Sequence, residues 1–335
     1  MSLESRGPAG GHADAKSPMF SVLIACYGHE DYVTSSIESV WRQTNSDLEI
    51  LAVDDGSPDR TGAILDALAS RSPVPMRVLH VTNQGAPAAF NLAASQARGQ
   101  YLALLNDDDE YLPVRLEAFG CVIGELGTYR WGFSGVLPID PEGAEIDPAS
   151  INDVRRRAIE LSTRPVEARQ EFLRVNSVVS SGNLVVSASA FADVNGFKPY
   201  RYGHDWDLAL RLLATGEPFI LRRPLYRYRI HANNTYREVL DGMGASLEAQ
   251  ESEAMWADHR AANRFGLGSP VAPLPASDAA EPVPARPVLG PDEAYAVRAA
   301  LSALRLLRRI PPAYSLARWG MLTTREFARR ARNRR

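Results

Sequence analysis

A chain of 335 residues, 45% of them hydrophobic, is long enough for one large α/β domain with an appendage, and its net charge of −3 argues against a general polyanion binder, so no nucleic acid is expected as a partner. Two cysteines, Cys26 and Cys121, supply no disulfide framework and, in apolar surroundings, read as core thiols. No apolar run reaches the roughly 18 residues of a membrane-spanning helix, and the N-terminal MSLESRGPAGGHADAKSP lacks the apolar stretch of a secretory signal, which makes the cytoplasm the expected compartment.

Residues 1–18, rich in Gly, Ala, Ser and Pro, read as disordered. Phe20 to Ala25 is a first buried strand, followed by a polar turn at Gly28, His29 and Glu30, with Asp31 a candidate helix cap. Tyr32 to Gln43 carries Val33, Ile37, Val40 and Trp41 at helical spacing. Leu48 to Val53 is a second strand, ending on Asp54-Asp55-Gly56-Ser57. A helix from Thr61 to Ser70, a strand from Met76 to His80, a turn at Asn83–Pro87 and a small-residue helix from Ala88 to Arg98 follow. Tyr101 to Leu105 is another buried strand. It stops on Asn106, Asp107, Asp108, Asp109 and Glu110.

Strand and helix alternating across short polar turns predict a mostly parallel sheet with helices on both faces. The clusters Tyr27–Glu30, Asp54–Ser57 and Asn106–Glu110 then share one rim, at the carboxyl ends of the strands where open α/β sheets bind ligands. Crowded carboxylates repel, by about 4 kcal/mol per pair at 4 Å near a surface, so a cation is expected among them. Oxygen ligands suit Mg²⁺ or Mn²⁺. The first strand is followed neither by G-x-G-x-x-G nor by a P-loop, which disfavours a dinucleotide-binding dehydrogenase.

Beyond Pro113 the pattern loosens. Arg115 to Leu126 reads as a helix, Tyr129 to Leu137 as a strand, 138–150 as a loop and 151–174 as a charged helix. Ser177 to Ser187 is strand-like on both sides of Ser-Gly-Asn, and Phe191 to Phe197 is a turn-helix. A helix begins at Trp206, Phe219 to Arg229 is a strand, and a last helix spans Tyr236 to Phe265. A Pro/Ala-rich linker precedes 293–335, whose eleven Arg against two Glu leave −12 for the rest of the chain.

The ordered segments FSVLIACYGHEDYVTSSIESVWRQT, LEILAVDDGSPDRT, NQGAPAAFNLAASQARGQYLALLNDDDEYLP and GHDWDLALRL resemble the family 2 glycosyltransferases of GT-A fold over residues 18–235. That resemblance implies a nucleotide-diphospho-sugar transferase of Rossmann-like α/β architecture. It would be an enzyme performing metal-dependent, inverting transfer of a sugar to a hydroxyl of a glycan, glycolipid or polysaccharide precursor. Carried over by position, Ala25 and Tyr27 would line the nucleoside pocket, and Asp55 would accept a hydrogen bond from the base. Asp107 would approach the ribose, Asn83, Gly85 and Asn91 would lie on the donor side, and Asp108 with His231 would hold Mg²⁺ or Mn²⁺. Asp205 would be the general base, with a helix N-cap as its competing reading. Asn106 replaces the first Asp of the family's D-x-D, and Phe90 occupies a position often basic there.

The resulting plan is a disordered 1–18, a glycosyltransferase domain at 19–265, a linker at 266–292 and a basic helical tail at 293–335. The domain divides into a donor half (19–113), an acceptor half (114–235) and a closing helix (236–265). Expected partners are a nucleotide diphosphate sugar, a sugar or lipid-linked acceptor and, through the tail, an anionic membrane surface on the cytoplasmic side. The alternatives are a non-catalytic nucleotide-sugar-binding scaffold and a nucleotidyltransferase.

Overall fold

Phe20–Cys26 (β1) is buried at every position, because a strand inside a helix-covered parallel sheet needs apolar side chains on both faces. It pairs in parallel with Leu48–Asp54 (β2), which pairs in parallel with Met76–His80 (β3). On its other side β1 takes Tyr101–Asn106 (β4), also parallel. Helices Val33–Trp41 (α1), Thr61–Ser70 (α2) and Ala86–Gln96 (α3) connect these strands. The registers set Cys26 beside Asp54, Ala25 beside Asn106, and Asp54 beside His80. Tyr27, Asp55 and Asp107, each the residue just past a paired one, therefore leave the sheet at the same rim.

The computed structural model describes residues 17–126, 130–163, 172–234 and 245–262. After β4 come Glu110–Tyr111 (β5), Arg115–Leu126 (α4), Trp131–Ile139 (β6), Asp153–Ser162 (α5), Val185–Ser187 (β7), Ala188–Asp193 (α6), His204–Leu213 (α7), Phe219–Arg229 (β8) and Ala245–Ala261 (α8). The sheet order is β3-β2-β1-β4-β7-β6-β8-β5. β7 runs antiparallel to β4 and β6, β6 and β8 are parallel, and β5 is antiparallel to β8.

Alternation along the strands divides the interior in two. Val22, Ile24, Ile50 and Ala52 pack with Ile37, Leu65 and Phe119 on one face, while Leu23, Ala25, Leu51 and Val53 pack with Phe90, Phe133 and Leu208 on the other. Full burial of such a side chain contributes about 1.5–3 kcal/mol.

Several boundaries differ from the sequence reading. The expected strand from Ser177 is instead a turn with a 3-10 piece at Ser181–Asn183, and only Val185–Ser187 pairs. The Ser180 hydroxyl accepts from the Gly182 N–H and closes this turn. A Cβ on Gly182 would sit 2.1 Å from the Tyr226 hydroxyl, so the turn is pressed against β8. Glu110, read as the end of an acidic turn, is a strand residue paired with Arg227. The cap of α1 is Tyr32 rather than Asp31, with no side-chain cap bond. Cys26 is buried as expected, whereas Cys121 is only half-buried. The charged helix of 151–174 is Asp153–Ser162, with 164–171 outside the described residues. The closing helix is Ala245–Ala261; its expected start at 236–244, the linker, the basic tail and nearly all of 1–18 also lie outside them. Among the described residues no helix is long and apolar enough to cross a membrane.

Candidate active site

The acidic run leaving β4 is buried, not solvated: Asp107, Asp108, Asp109 and Glu110 are each at most 7% exposed. Burial of four carboxylates requires partners, and β8 supplies most of them. Asp109 accepts from the Tyr226 hydroxyl and, at 2.8 Å, from the Arg229 N–H. Glu110 takes the Arg227 guanidinium and, at 2.6 Å, that of Arg229. Arg229 also donates to the Asp108 carbonyl at 2.8 Å and lies over the Tyr32 ring. Burial, followed by the neighbouring Asp108 charge, pushes the Asp109 carboxyl well above its usual range. Asp109 and Glu110 are thus spent on fastening the loop to β8.

Asp107 and Asp108 face histidines. The Asp107 carboxylate accepts from the Tyr27 N–H at 3.0 Å and lies 2.8 Å from His29 Nδ1. Burial works against charge on His29, but the Asp107 carboxylate outweighs it, with help from Asp108 and Asp109, and raises the imidazole to about 9. Asp108 lies 3.0 Å from His231 Nε2. Because the Asn233 N–H donates to His231 Nδ1 at 3.2 Å, the ring proton sits on Nε2 and is given to Asp108. Burial pushes Asp108 upward, but the His231 hydrogen bond and the nearby imidazoles outweigh it and hold the carboxyl below its usual range. His29, Asp108 and His231 each offer a ligand atom within 4.8 Å of the others, a set that could hold a metal ion. Sequence reasoning placed His29 in the polar turn at the tip of β1 but gave it no role. Its signal was that it leaves the sheet on the same rim as Asp107.

Asn106 is turned away from this trio. Its amide donates to Ser180 Oγ at 2.9 Å and accepts from Ser181 Oγ at 3.1 Å, so it ties β4 to the 180–183 turn.

On the donor side, Ala25 is the last β1 residue paired with β4, and Tyr27 is 48% exposed. Asp55 is buried and accepts from the N–H groups of Gln84 and Gly85 at 2.9 and 2.7 Å. Asp54 accepts from the Ser57 N–H and meets His80, which makes it the turn residue of the pair. Asn83 packs on Gly56, where a Cβ would come 3.0 Å from the Asn83 N. Gly85, at φ +90°, opens α3. The Asn91 amide is committed to the fold, with Nδ2 donating to the Phe197 carbonyl at 2.9 Å and Oδ1 accepting from the Phe197 N–H at 2.8 Å. Phe90, at the often-basic position, is fully buried and stacked on Phe197.

Asp205 lies in the first turn of α7, 9% exposed. It is not the cap: that residue is Gly203, with no side-chain cap bond. Its carboxylate accepts from Asn176 Nδ2 at 2.9 Å and from the Trp206 N–H at 2.7 Å. Burial, opposed by His204, raises its proton affinity. Asp207 is wholly buried, paired with the Arg211 guanidinium at 2.6 Å and meeting His259 Nε2 at 3.3 Å. Burial raises the Tyr228 phenol, Arg155 opposes, and the charges of Asp109, Asp108 and Asp205 add to the rise.

Residues 21–119, which carry β1 to β4 and the acidic loop, match the model of glycosyl transferase family 2. Over that segment the chain is similar to this family. An uncharacterized glycosyltransferase EpsJ of Bacillus subtilis is 39% identical over 92 residues, 28% of this chain and 26% of that protein. The uncharacterized glycosyltransferase RT0329 of Rickettsia typhi is 23% identical over 243 residues, 72% of this chain and 71% of that protein. The match to EpsJ thus spans about a quarter of that relative's length. The crystal structure of S. aureus TarS 1–349 in complex with UDP-GlcNAc has a TM-score of 0.50 at 17% identity, covering 64% of this chain and 60% of that one. That likeness is one of fold: the curled, mostly parallel sheet is of GT-A type.

Proposed function

We propose that this chain is an inverting glycosyltransferase that moves a sugar from a nucleotide diphosphate sugar to an acceptor hydroxyl. The observation that carries the reading is the convergence of Tyr27, Asp55 and Asp107 on one rim, beside buried Asp108. The ring of exposed Tyr27 would stack on the base. Asp55 keeps lone pairs beyond the two that shape its loop, and Asp107 would turn from His29 to the ribose.

The donor set fits a divalent cation. Asp108 would hold it, with His231 and His29 within reach, and one carboxylate beside two imidazoles suits Mn²⁺ better than Mg²⁺. When bound, the cation would supply neutralisation of the charge on the leaving diphosphate. Asp205, oriented by Asn176, takes the proton from the acceptor hydroxyl as its oxygen attacks the anomeric carbon. Attack from the face opposite the diphosphate inverts that carbon.

The TarS complex makes UDP-GlcNAc the first donor to test. With Mn²⁺, Asp205→Asn should bind donor by calorimetry as the natural chain does and release no UDP. Normal UDP release by this variant would remove Asp205 from the mechanism. The Arg-rich segment 293–335 would dock on anionic lipid and bring the active site to a lipid-linked acceptor. Co-sedimentation with phosphatidylglycerol vesicles should fall when the chain is ended after residue 290, and unchanged binding would exclude a tail anchor.

A further inference from the structure

The segment 198–207, which carries Asp205, is held on its outer side by α8, although α8 comes much later in the chain. Both oxygens of the Glu251 carboxylate accept backbone N–H groups of that segment, from Arg201 at 2.7 Å and from Tyr202 at 2.8 Å. Asp258 takes the Lys198 ammonium at 2.6 Å. Trp256 meets Trp206 edge-on at 5.5 Å between ring centroids. Met255, 1% exposed, comes against Gly203, where a Cβ would lie 3.9 Å from its sulfur. His259, wholly buried, reaches Asp207 at 3.3 Å. Five side chains spread along α8 therefore grip one short segment. The Asp205 carboxylate itself accepts from Asn176 and from the Trp206 N–H of its own segment, with no α8 side chain among its described hydrogen-bond partners.

Two adjacent N–H groups, those of Arg201 and Tyr202, aimed at one carboxylate form a strong, charge-assisted pair of hydrogen bonds. The other α8 contacts are the charged ones of Asp258 with Lys198 and His259 with Asp207 and the packing of Met255 and Trp256. We infer that α8 is a strap that fixes the base-bearing segment, and that Glu251 is a positioning residue acting through the 201–202 backbone on the placement of Asp205. The inference rests on Asp205 being the base. Since the strap touches no residue of β1, β2 or the β4 tip among the contacts described, loosening it should alter transfer and leave donor binding alone.

The test uses the full chain with Glu251→Ala and Glu251→Gln, read by amide hydrogen exchange and by UDP release from UDP-GlcNAc with Mn²⁺. Exchange over 198–207 should rise at least about tenfold in Glu251→Ala, the equivalent of about 1.4 kcal/mol of local stability, while peptides covering 20–26, 48–54 and 101–106 stay unchanged. Glu251→Gln keeps one acceptor oxygen and should fall between. UDP release should drop in the same order at constant donor affinity. Unchanged exchange over 198–207 would overturn the strap. Faster exchange there with undiminished UDP release, in a protein that Asp205→Asn inactivates, would overturn the positioning role. If Asp205→Asn is itself fully active, the base assignment fails instead, and the exchange result stands on its own.

Discussion

Two acidic pairs in this molecule are built alike and used differently. At the end of β4, Asp109 is fastened by Tyr226 and Arg229 while its neighbour Asp108 faces two histidines. At the start of α7, Asp207 is locked to Arg211 and His259 while Asp205 has, among the described residues, only Asn176 and a backbone N–H as hydrogen-bond partners. In each pair one carboxylate is tied to fixed donors of the fold, and the other is buried beside imidazole or amide partners. The residue type is the same in all four cases, so the neighbours assign the roles. Asp109 and Asp207 are fasteners, whereas Asp108 and Asp205 keep partners that can be exchanged for a ligand.

The contrast breaks if exchanging the members of a pair gives the same phenotype. Asp205→Asn should cost about 10²–10⁴-fold in turnover, the usual contribution of a general base, with little change in melting temperature. Asp207→Asn should do the reverse. It leaves the Arg211 guanidinium, 4% exposed, without its charge partner and should lower stability by about 3–5 kcal/mol in urea unfolding. A Tm loss in Asp205→Asn as large as that in Asp207→Asn would dissolve the distinction. In the other pair, Asp108→Ala should weaken Mn²⁺-dependent donor binding by about 100-fold, because even residues that only support a metal ligand cost 10–100-fold. Equal donor affinity with and without Mn²⁺ in the natural chain would show that Asp108 plays another part.

The smallest effect tests a fastener far from the chemistry. Glu49, 2% exposed, accepts from Ser21 Oγ at 2.7 Å and from Arg98 through its backbone N–H and guanidinium. Burial pushes its carboxyl up, but the Arg98 and Ser21 hydrogen bonds outweigh it and leave the group below its ordinary range. A depressed folded value means the stabilisation is present above about pH 4.3, the unfolded value, and is lost as pH falls through the folded one. Glu49→Gln should lower stability by about 1–2 kcal/mol at pH 7 and flatten the acid side of the Tm–pH curve. An unchanged acid limb would mean that Glu49 contributes nothing to it.

The donor half was legible because its signals are local. FSVLIAC, LEILAVD and YLALLN are apolar runs that can only be buried strands, and their polar tips follow one residue later. The strand Phe219–Arg229 also matched its pattern. The stretch around Ser180–Asn183 did not, since its β-branched residues read as strand while Ser180 and Gly182 close a turn pressed on Tyr226. His29 and Glu251 were missed for the same reason. Nothing near them in the chain says that one will meet Asp107 and the other the 201–202 backbone.

By itself, then, the sequence determined the alternation of strand and helix, the sharing of one rim by three polar tips, and the residues able to act as acid, base or ligand. Periodicity and side-chain chemistry are carried by neighbours in the chain. Only the tertiary structure decided which carboxylates are spent and which are open, because an arginine or histidine more than a hundred residues away, as Arg229 and His231 are from Asp108 and Asp109, sets each one's charge and reach.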